Sequence, residues 1–442
     1  MPRSPIATLL FLFFFPASCS SSPAAAANTD IFESWCRRHG KSYASEAEKL
    51  ARFHVFEGNR AFVESHNAGN SSYSLDLNAF ADLSVHEFRT SRLGLGLGLR
   101  LSDSAVGGGH TVFQASDSSV PDAIDWRQKG AVTQVKDQGS CGACWAFSAT
   151  GAIEGINKIS TGSLVSLSEQ ELVDCDQTYN TGCSGGLMDY AYKWVVQNHG
   201  IDTEQDYSYR SGERNCIKNK LNHRVVTIDG YADIPPNNEK LLLQAVASQP
   251  VSVGICGSER EFQLYSKGIF TGPCSTALDH AVLIVGYGSE NGHDYWILKN
   301  SWGTSWGMDG FMYMIRNRGN PLGVCGINML ASYPIKTSPN PPSPSPSPTK
   351  CSLFSYCPAG NTCCCTRRFL GLCFSWGCCE LDSAICCKDH RYCCPYNYPV
   401  CDNKTKRCSK GNNNFTIVEG IERTGFFVKF RSWNPLLDLW DV

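Results

Sequence analysis

Cysteine is the residue that most constrains this chain, which carries 24 of them, unevenly spread. Fourteen fall within the 58 residues 351–408, eight lie between Cys141 and Cys325, and the other two are Cys19 and Cys36. A reducing compartment would keep so many thiols free for no structural return, so the count points to an oxidising one. In the last group four adjacent doublets (363–364, 378–379, 386–387 and 393–394) follow Cys351 and Cys357 and precede Cys401 and Cys408. A run this dense predicts a small scaffold held by disulfides rather than by an apolar core. A zinc module is the alternative, but zinc ligands usually stand about two to four residues apart, and adjacent doublets suit a tetrahedral site poorly. No metal and no cofactor is expected.

The N-terminus agrees about the compartment. Arg3, an apolar run over 6–16 and small residues as far as Ala27 follow the order of a secretory signal peptide. About a dozen apolar residues fall short of the roughly 20 that span a bilayer, and no later run is longer, so no membrane anchor is expected. With 39 basic and 41 acidic side chains the net charge is −2, which leaves no cationic surplus for nucleic acid. At 442 residues the chain has room for roughly two to four domains. Two composition breaks divide it. Residues 93–110, LGLGLGLRLSDSAVGGGH, read as a flexible, nickable connection. Residues 337–349, TSPNPPSPSPSPT, read as an extended, semi-rigid spacer. The cysteine-free tail 415–442 is either a docked extension or an artefact of sequence assembly.

The chemistry lies in the middle. In QGSCGACWAFS, Cys144 precedes apolar positions at helical spacing and so stands at a helix N-terminus, where backbone dipoles favour a thiolate. Cys141 and Cys144 alone also read as a Cys-x-x-Cys redox or metal pair. Two later segments favour catalysis. His280 heads an apolar, strand-like run (DHAVLIVGYG), and Asn300 ends another (YWILKNSWG). A nucleophilic thiol needs a base and a group that orients the base, and Cys144, His280 and Asn300 are such a set.

These motifs, with DWRQKGAVTQVKDQGSCGACWAFSA and CSGG, occur in the order and spacing of papain-family cysteine proteases, which residues 120–336 resemble. The resemblance implies an α+β protein: a two-lobed papain-like fold, with a helical lobe and an antiparallel barrel-like lobe. Gln138 and the Cys144 backbone N–H would form the oxyanion hole, and Trp302 would shield the His280–Asn300 contact. Gly185 and Gly186 would leave room for a substrate backbone. The positions that match the main specificity pocket are Leu187, Met188, Gly254, Leu278, Ala281 and Leu330, with Asp279 beside them. None of the six is charged, so a bulky apolar side chain two residues before the scissile bond is expected; an Arg there would lose its hydration without a partner. The family pairs imply disulfides Cys141–Cys183, Cys175–Cys216 and Cys274–Cys325. Cys256 is left over, either a small buried hydrophobe or a second reactive thiol; the first is preferred because nothing basic activates it.

Upstream, Glu48, Arg52, Phe56, Asn59, Val63 and Asn67 share one helix face. An amphipathic core helix explains Phe56 and Val63 but not the polar members. The stripe resembles the helical signature of inhibitory propeptides in the same family, and Asn78, Phe80 and Asp82 resemble their second motif, with Asp76 where Gly is usual. The module 351–408 resembles a granulin, a ladder of stacked β-hairpins, with Cys365 and Cys373 additional to its twelve cysteines and expected to pair with each other. The combination is similar to the xylem bark cysteine peptidases of plants. The expected organisation is a signal peptide (1–27), an inhibitory propeptide with its Gly-rich connection (28–119), the protease (120–336), the Pro-rich linker (337–350), the granulin (351–408) and the tail (409–442). The resemblance implies a monomeric, secreted or vacuolar endopeptidase made as a zymogen. Its partners would be peptide and protein substrates, its own propeptide and cystatin-like inhibitors. Asn70, Asn403 and Asn414 begin N-glycosylation sequons.

Overall fold

The computed structural model describes residues 23–96, 110–115, 119–340 and 349–428, apart from 359, 370, 371, 382, 397, 410–416, 420 and 426. Most of the signal peptide, residues 97–109 of the Gly-rich connection, residues 341–348 of the linker, Asn414 and the tail beyond 428 lie outside the described residues. The chain divides into two units, Met1–Pro341 and Pro342–Val442.

The first unit opens with helices α1 (Pro23–Arg38) and α2 (Glu46–Asn67), then strand β1 (Tyr73–Leu75) and helix α3 (Val85–Arg92). The polar stripe of α2 holds loops in place. Ser45 caps the helix by accepting from the Glu48 N–H, and Glu48 accepts from the Ala44 N–H. Buried Asn59 donates to the Ala81 and Leu83 carbonyls and accepts from Arg260. Arg52 donates to the Asp82 carbonyl and to Glu87, and Asn67 exchanges two hydrogen bonds with Leu75. Asp76 has no positive φ, so a glycine is not required there. A capping box between Ser84 and Glu87 starts α3.

After β2 (His110–Val112) and β3 (Ile124–Asp125) comes the helical lobe: α4 (Cys144–Thr161), α5 (Glu169–Cys175) and α6 (Met188–Gln197). Every residue of α4 from Cys144 to Asn157 is buried, the mark of a helix that runs through the interior rather than over it. Gly162, at φ 78°, ends α4 in the left-handed conformation that glycine adopts without penalty. The sheet lobe follows: β4 (Gly230–Asp233), α7 (Glu239–Ser248), β5 (Val251–Ile255), α8 (Arg260–Gln263), β6 (Tyr265–Phe270), β7 (His280–Glu290), β8 (His293–Lys299), β9 (Phe311–Ile315) and β10 (Ala331–Ile335). The strand order is β1-β6-β9-β8-β7-β5-β10-β4-β2, with β3 on β7, so N-terminal strands extend the sheet at both ends. Disulfides Cys141–Cys183 and Cys175–Cys216 staple the helical lobe, and Cys274–Cys325 the sheet lobe. Each is worth about 2–4 kcal/mol through the loop it closes.

The second unit is a ladder of four hairpins: β11 (Thr349–Lys350) with β12 (Ser355–Cys357), β13 (Thr362–Phe369) with β14 (Leu372–Cys379), β15 (Ile385–Cys386) with β16 (Tyr392–Cys394), and β17 (Val400–Asp402) with β18 (Arg407–Ser409). Six disulfides tie hairpin to hairpin or strand to neighbouring turn, and a seventh, Cys365–Cys373, staples the second hairpin internally. Its buried side chains are almost all half-cystines, which is why so short a chain folds. The described part of the tail forms β19 (Ile417–Glu419), β20 (Ile421–Glu422), β21 (Thr424–Gly425) and β22 (Phe427–Val428), one on each hairpin, so the tail is a docked extension.

Candidate active site

Cys144 is the first residue of α4 and is fully buried. Backbone N–H groups of Ala281, Gly94 and Trp145 face its thiol, which puts it between α4, the head of β7 and the N-terminal segment. His280 opens β7 and Asn300 follows the last residue of β8; both are buried. The Asn300 Oδ1 lies 2.9 Å from His280 Nε2, while Nδ1 of the ring has no hydrogen-bond partner among the described residues. Trp302 stacks on the imidazole with ring centroids 4.5 Å apart and an interplanar angle of 21°. Phe262, Phe80 and Phe88 pack edge-on against Trp302, so the indole lies within an aromatic cluster to which the N-terminal segment contributes two rings.

Gln138 is held from three sides. Its backbone N–H donates to the Ser301 carbonyl, its Oε1 accepts from Ser301 Oγ at 2.6 Å, and its own carbonyl accepts from Tyr209. The Cys141 and Arg92 carbonyls, which can only accept, fix which end of the amide carries the donors. Those donors reach the Cys141 carbonyl at 2.8 Å and the Arg92 carbonyl at 3.0 Å.

Residues 93–96 differ from their sequence reading. They are not part of a loose connection but lie in the cleft. Leu95 N–H donates to the Asp279 carbonyl, Gly96 N–H to the Gly186 carbonyl, and Gly186 N–H back to the Gly94 carbonyl, which makes a short parallel bridge. Glycine is needed at 94 because a Cβ there would collide with the Gly142 carbonyl. Gly185 has φ 120° and faces the Gly94 carbonyl, so it too has no space for a side chain. The Leu95 side chain enters an apolar pocket. A Cβ on Gly254 would sit 3.0 Å from Leu95 Cδ2 and 2.9 Å from Leu330 Cδ2. The β5–β7 register sets Gly254 opposite Ala281, and Leu187, Met188, Leu278 and Leu330 are buried in the same cluster that Leu95 packs against. Asp279 takes part through its backbone carbonyl, while its carboxylate accepts from the Gly257 N–H.

Sequence reading missed Arg92, Gly94 and Leu95, although the alternation Leu93-Gly94-Leu95-Gly96 was visible. It also missed Ser301, whose hydroxyl orients Gln138. Cys256 is a free, fully buried thiol 3.2 Å from Ser275 Oγ and 3.5 Å from Ser258 Oγ. Asn70 and Asn403 are exposed.

Burial sets the charges. It pushes the Cys144 thiol up to about 11, against the pull of the three N–H groups, and pushes His280 down to about 4, against the Asn300 hydrogen bond. Between those values both groups are neutral, so with the N-terminal segment in place the cleft holds a thiol and an imidazole and no ion pair.

A buried thiol at a helix N-terminus, in a cleft between a helical and a sheet lobe and roofed by the chain's own N-terminal segment, fits a cysteine protease in precursor form. Comparison with known proteins narrows the class. The family model "Papain family cysteine protease" matches residues 120–335, "Cathepsin propeptide inhibitor domain (I29)" matches 32–88, and "Granulin" matches 357–409. The chain belongs to the papain family of cysteine proteases and carries the family's inhibitory propeptide and a C-terminal granulin domain. It is 50% identical over 406 residues to probable cysteine protease RD21B of Arabidopsis thaliana, covering 89% of this chain and 87% of the relative. It is 45% identical to the oryzain beta chain of Oryza sativa, covering 91% and 90%. Among solved structures, recombinant stem bromelain precursor is similar at TM-score 0.65 and 38% identity, covering 71% of this chain and all of that one. The proform of the ragweed pollen cysteine protease Amb a 11 is similar at TM-score 0.65 and 39% identity, covering 71% and 96%.

Proposed function

We propose that the mature protein is an endopeptidase that works through Cys144, His280 and Asn300 and prefers a bulky apolar side chain two residues before the scissile bond. His280 Nδ1 takes the thiol proton, and Asn300 holds Nε2 and with it the tautomer. The thiolate attacks a peptide carbonyl. The oxyanion forms where the Arg92 carbonyl now accepts from Gln138, with the Cys144 backbone N–H as second donor. The imidazolium then protonates the leaving amine, and water releases the acyl group. The observation that carries this reading is that the propeptide already treats the cleft as a peptide-binding site: one backbone carbonyl sits on the Gln138 amide while Leu95 fills the apolar pocket.

The propeptide silences the enzyme in two ways in this reading: it occupies the pocket and oxyanion donor, and it excludes the water that a thiolate–imidazolium pair requires. The signal peptide and the cysteine count support a secretory route to a lytic compartment or the extracellular space, where a chain with 10 disulfides persists.

A substrate scan of the matured protein tests the pocket. Leu, Phe and Val two residues before the cleaved bond are expected to outperform Arg by at least tenfold in kcat/KM. Equal or better cleavage after Arg at that position would contradict the proposal.

A further inference from the structure

The oxyanion hole takes its two donors from different elements, so it works only if they are held at a fixed separation. The Gln138 amide stands on the loop 137–141, and the Cys144 backbone N–H begins α4. Ser301 orients the Gln138 side chain from the sheet lobe. On the helical side, Tyr209 touches the elements that carry both donors. Its hydroxyl donates to the Gln138 carbonyl at 2.8 Å. Its ring packs edge-on against Phe147, with centroids 4.8 Å apart and planes at 82°. Phe147 belongs to the first turn of α4, which Cys144 begins.

Tyr209 is itself held. Its N–H donates to Glu204 Oε1 at 2.9 Å. The Arg210 N–H donates to Oε1 of buried Gln170 at 2.7 Å, and Gln170 Nε2 donates to the Gly212 carbonyl at 2.8 Å. Gln170 belongs to α5, so segment 209–212 is bound by its backbone to a helix of the lobe. The segment meets the oxyanion loop at a second point. Gly139 has φ 62°, and a Cβ there would lie 2.8 Å from Ser211 Cβ. Consecutive loop residues thus rest on Tyr209 and Ser211. Burial pushes the Tyr209 phenol well above its ordinary range, so the hydroxyl keeps its proton at neutral and acidic pH.

We propose that Tyr209 is a positioning residue for the oxyanion hole: by bonding the Gln138 carbonyl while bearing on Phe147, it sets the separation of the Gln138 amide from the Cys144 N–H. The inference rests on Gln138 as an oxyanion donor. Such donors act only when preorganised about 2.7–3.1 Å from the place the oxyanion will occupy. A misplacement of about 1 Å can cost about 10²-fold. Releasing the Gln138 carbonyl lets the loop carry its amide away from α4. The apolar pocket and the Gly185–Gly186 segment are untouched, so the loss falls on turnover and not on binding.

The experiment uses the matured enzyme with Tyr209→Phe, which keeps the ring against Phe147 and removes only the hydroxyl. Steady-state kinetics are measured for this variant, for Gln138→Ala and for the two together. The rate of Cys144 alkylation by iodoacetamide, a reaction that forms no oxyanion, is measured alongside. Tyr209→Phe is expected to lower kcat about tenfold, with KM changed by less than about twofold and alkylation unchanged. With Gln138→Ala already present, the same change is expected to cost less than about twofold, because the donor it positions is gone. Tyr209→p-aminophenylalanine, which keeps a donor at that place, is expected to restore most of the lost kcat. Should Tyr209→Phe fail to fold, p-fluorophenylalanine, which fills the space of the hydroxyl without donating, is read in the same way. Undiminished kcat in Tyr209→Phe overturns the inference, as do equal losses with and without Gln138. A matching fall in alkylation also overturns it, since Tyr209 would then support Cys144 or the fold at large. Gln138→Ala alone tests the underlying reading: an unchanged kcat there removes Gln138 as a donor, and the inference with it.

Discussion

At the scale of single residues, donors and exclusions decide the chemistry. Gln138 is aimed by Ser301, so Gln138→Ala should lower kcat about 10²–10³-fold in the matured enzyme while KM changes little. Steady-state kinetics check this; a loss confined to KM would mean that the amide only binds substrate. Gly254 leaves the pocket its depth. Gly254→Ala puts a methyl 3.0 Å from where Leu95 Cδ2 now sits and should cut kcat/KM for Leu substrates about tenfold, while sparing those with Ala at that position. Cys144, His280 and Asn300 were legible because a nucleophile, a base and an orienting amide stood in distinctive local contexts. Ser301 was not, because nothing in a serine beside an asparagine announces that its hydroxyl orients a glutamine 163 positions away.

Among the elements, α2 shows most clearly what sequence carries and what it does not. The polar stripe was visible as a pattern, but most of its partners are backbone groups, at Ala44, Leu75 and the loop 81–83, and a backbone group leaves no trace in the alphabet. Asn59 is the central member. Asn59→Ala strands the buried Ala81 carbonyl and takes one partner each from the Leu83 carbonyl, which keeps Gln263, and the Arg260 guanidinium, which should cost about 1–3 kcal/mol of propeptide docking. The thermal transition of the Cys144→Ala precursor with and without the change measures it. The Gly-Leu segment misled for a related reason. Glycine reads as looseness, yet at Gly94 it marks where two backbones meet too closely for a side chain. The tail escaped because its strands are two or three residues long and repeat every three, so neither the period of a helix nor that of a strand shows.

For the whole molecule, the response to acid separates the imidazole from the propeptide carboxylates. Docked, His280 sits near 4, below the ordinary histidine value of about 6.5. In the Cys144→Ala precursor, where no thiolate can form, its proton therefore favours the undocked state: docking is at full strength above about pH 6.5 and is lost progressively as pH falls towards 4. With Cys144 present the thiol proton moves to the imidazole on undocking, so the two states hold the same number of protons and this dependence cancels. Burial pushes the Glu87 carboxyl up, but the Ser84 backbone and hydroxyl and the Arg52 guanidinium outweigh it and hold the group below its usual range. Its contribution is intact above the ordinary value of about 4.3 and lost only below it. In that variant the imidazole governs the upper part of the acid range, and the propeptide carboxylate only the lower end. The propeptide transition of the Cys144→Ala precursor should fall steadily between pH 6.5 and 4.5, with Glu87→Gln lowering stability at neutral pH and flattening only the part below about 4.3. A transition that does not move above pH 5 would count against a neutral, buried His280 in the docked cleft.

The measurement that bears most directly on the central claim is site-resolved alkylation by an epoxide-type thiol reagent, before and after propeptide removal. The protein carries its own controls, since Cys36 and Cys256 are also free and buried. The account expects no modification of the precursor, then a single adduct at Cys144 in the matured enzyme, with peptide hydrolysis lost in proportion. Labelling of Cys144 at the same rate in the precursor would contradict it, and so would full activity in protein whose Cys144 is completely alkylated.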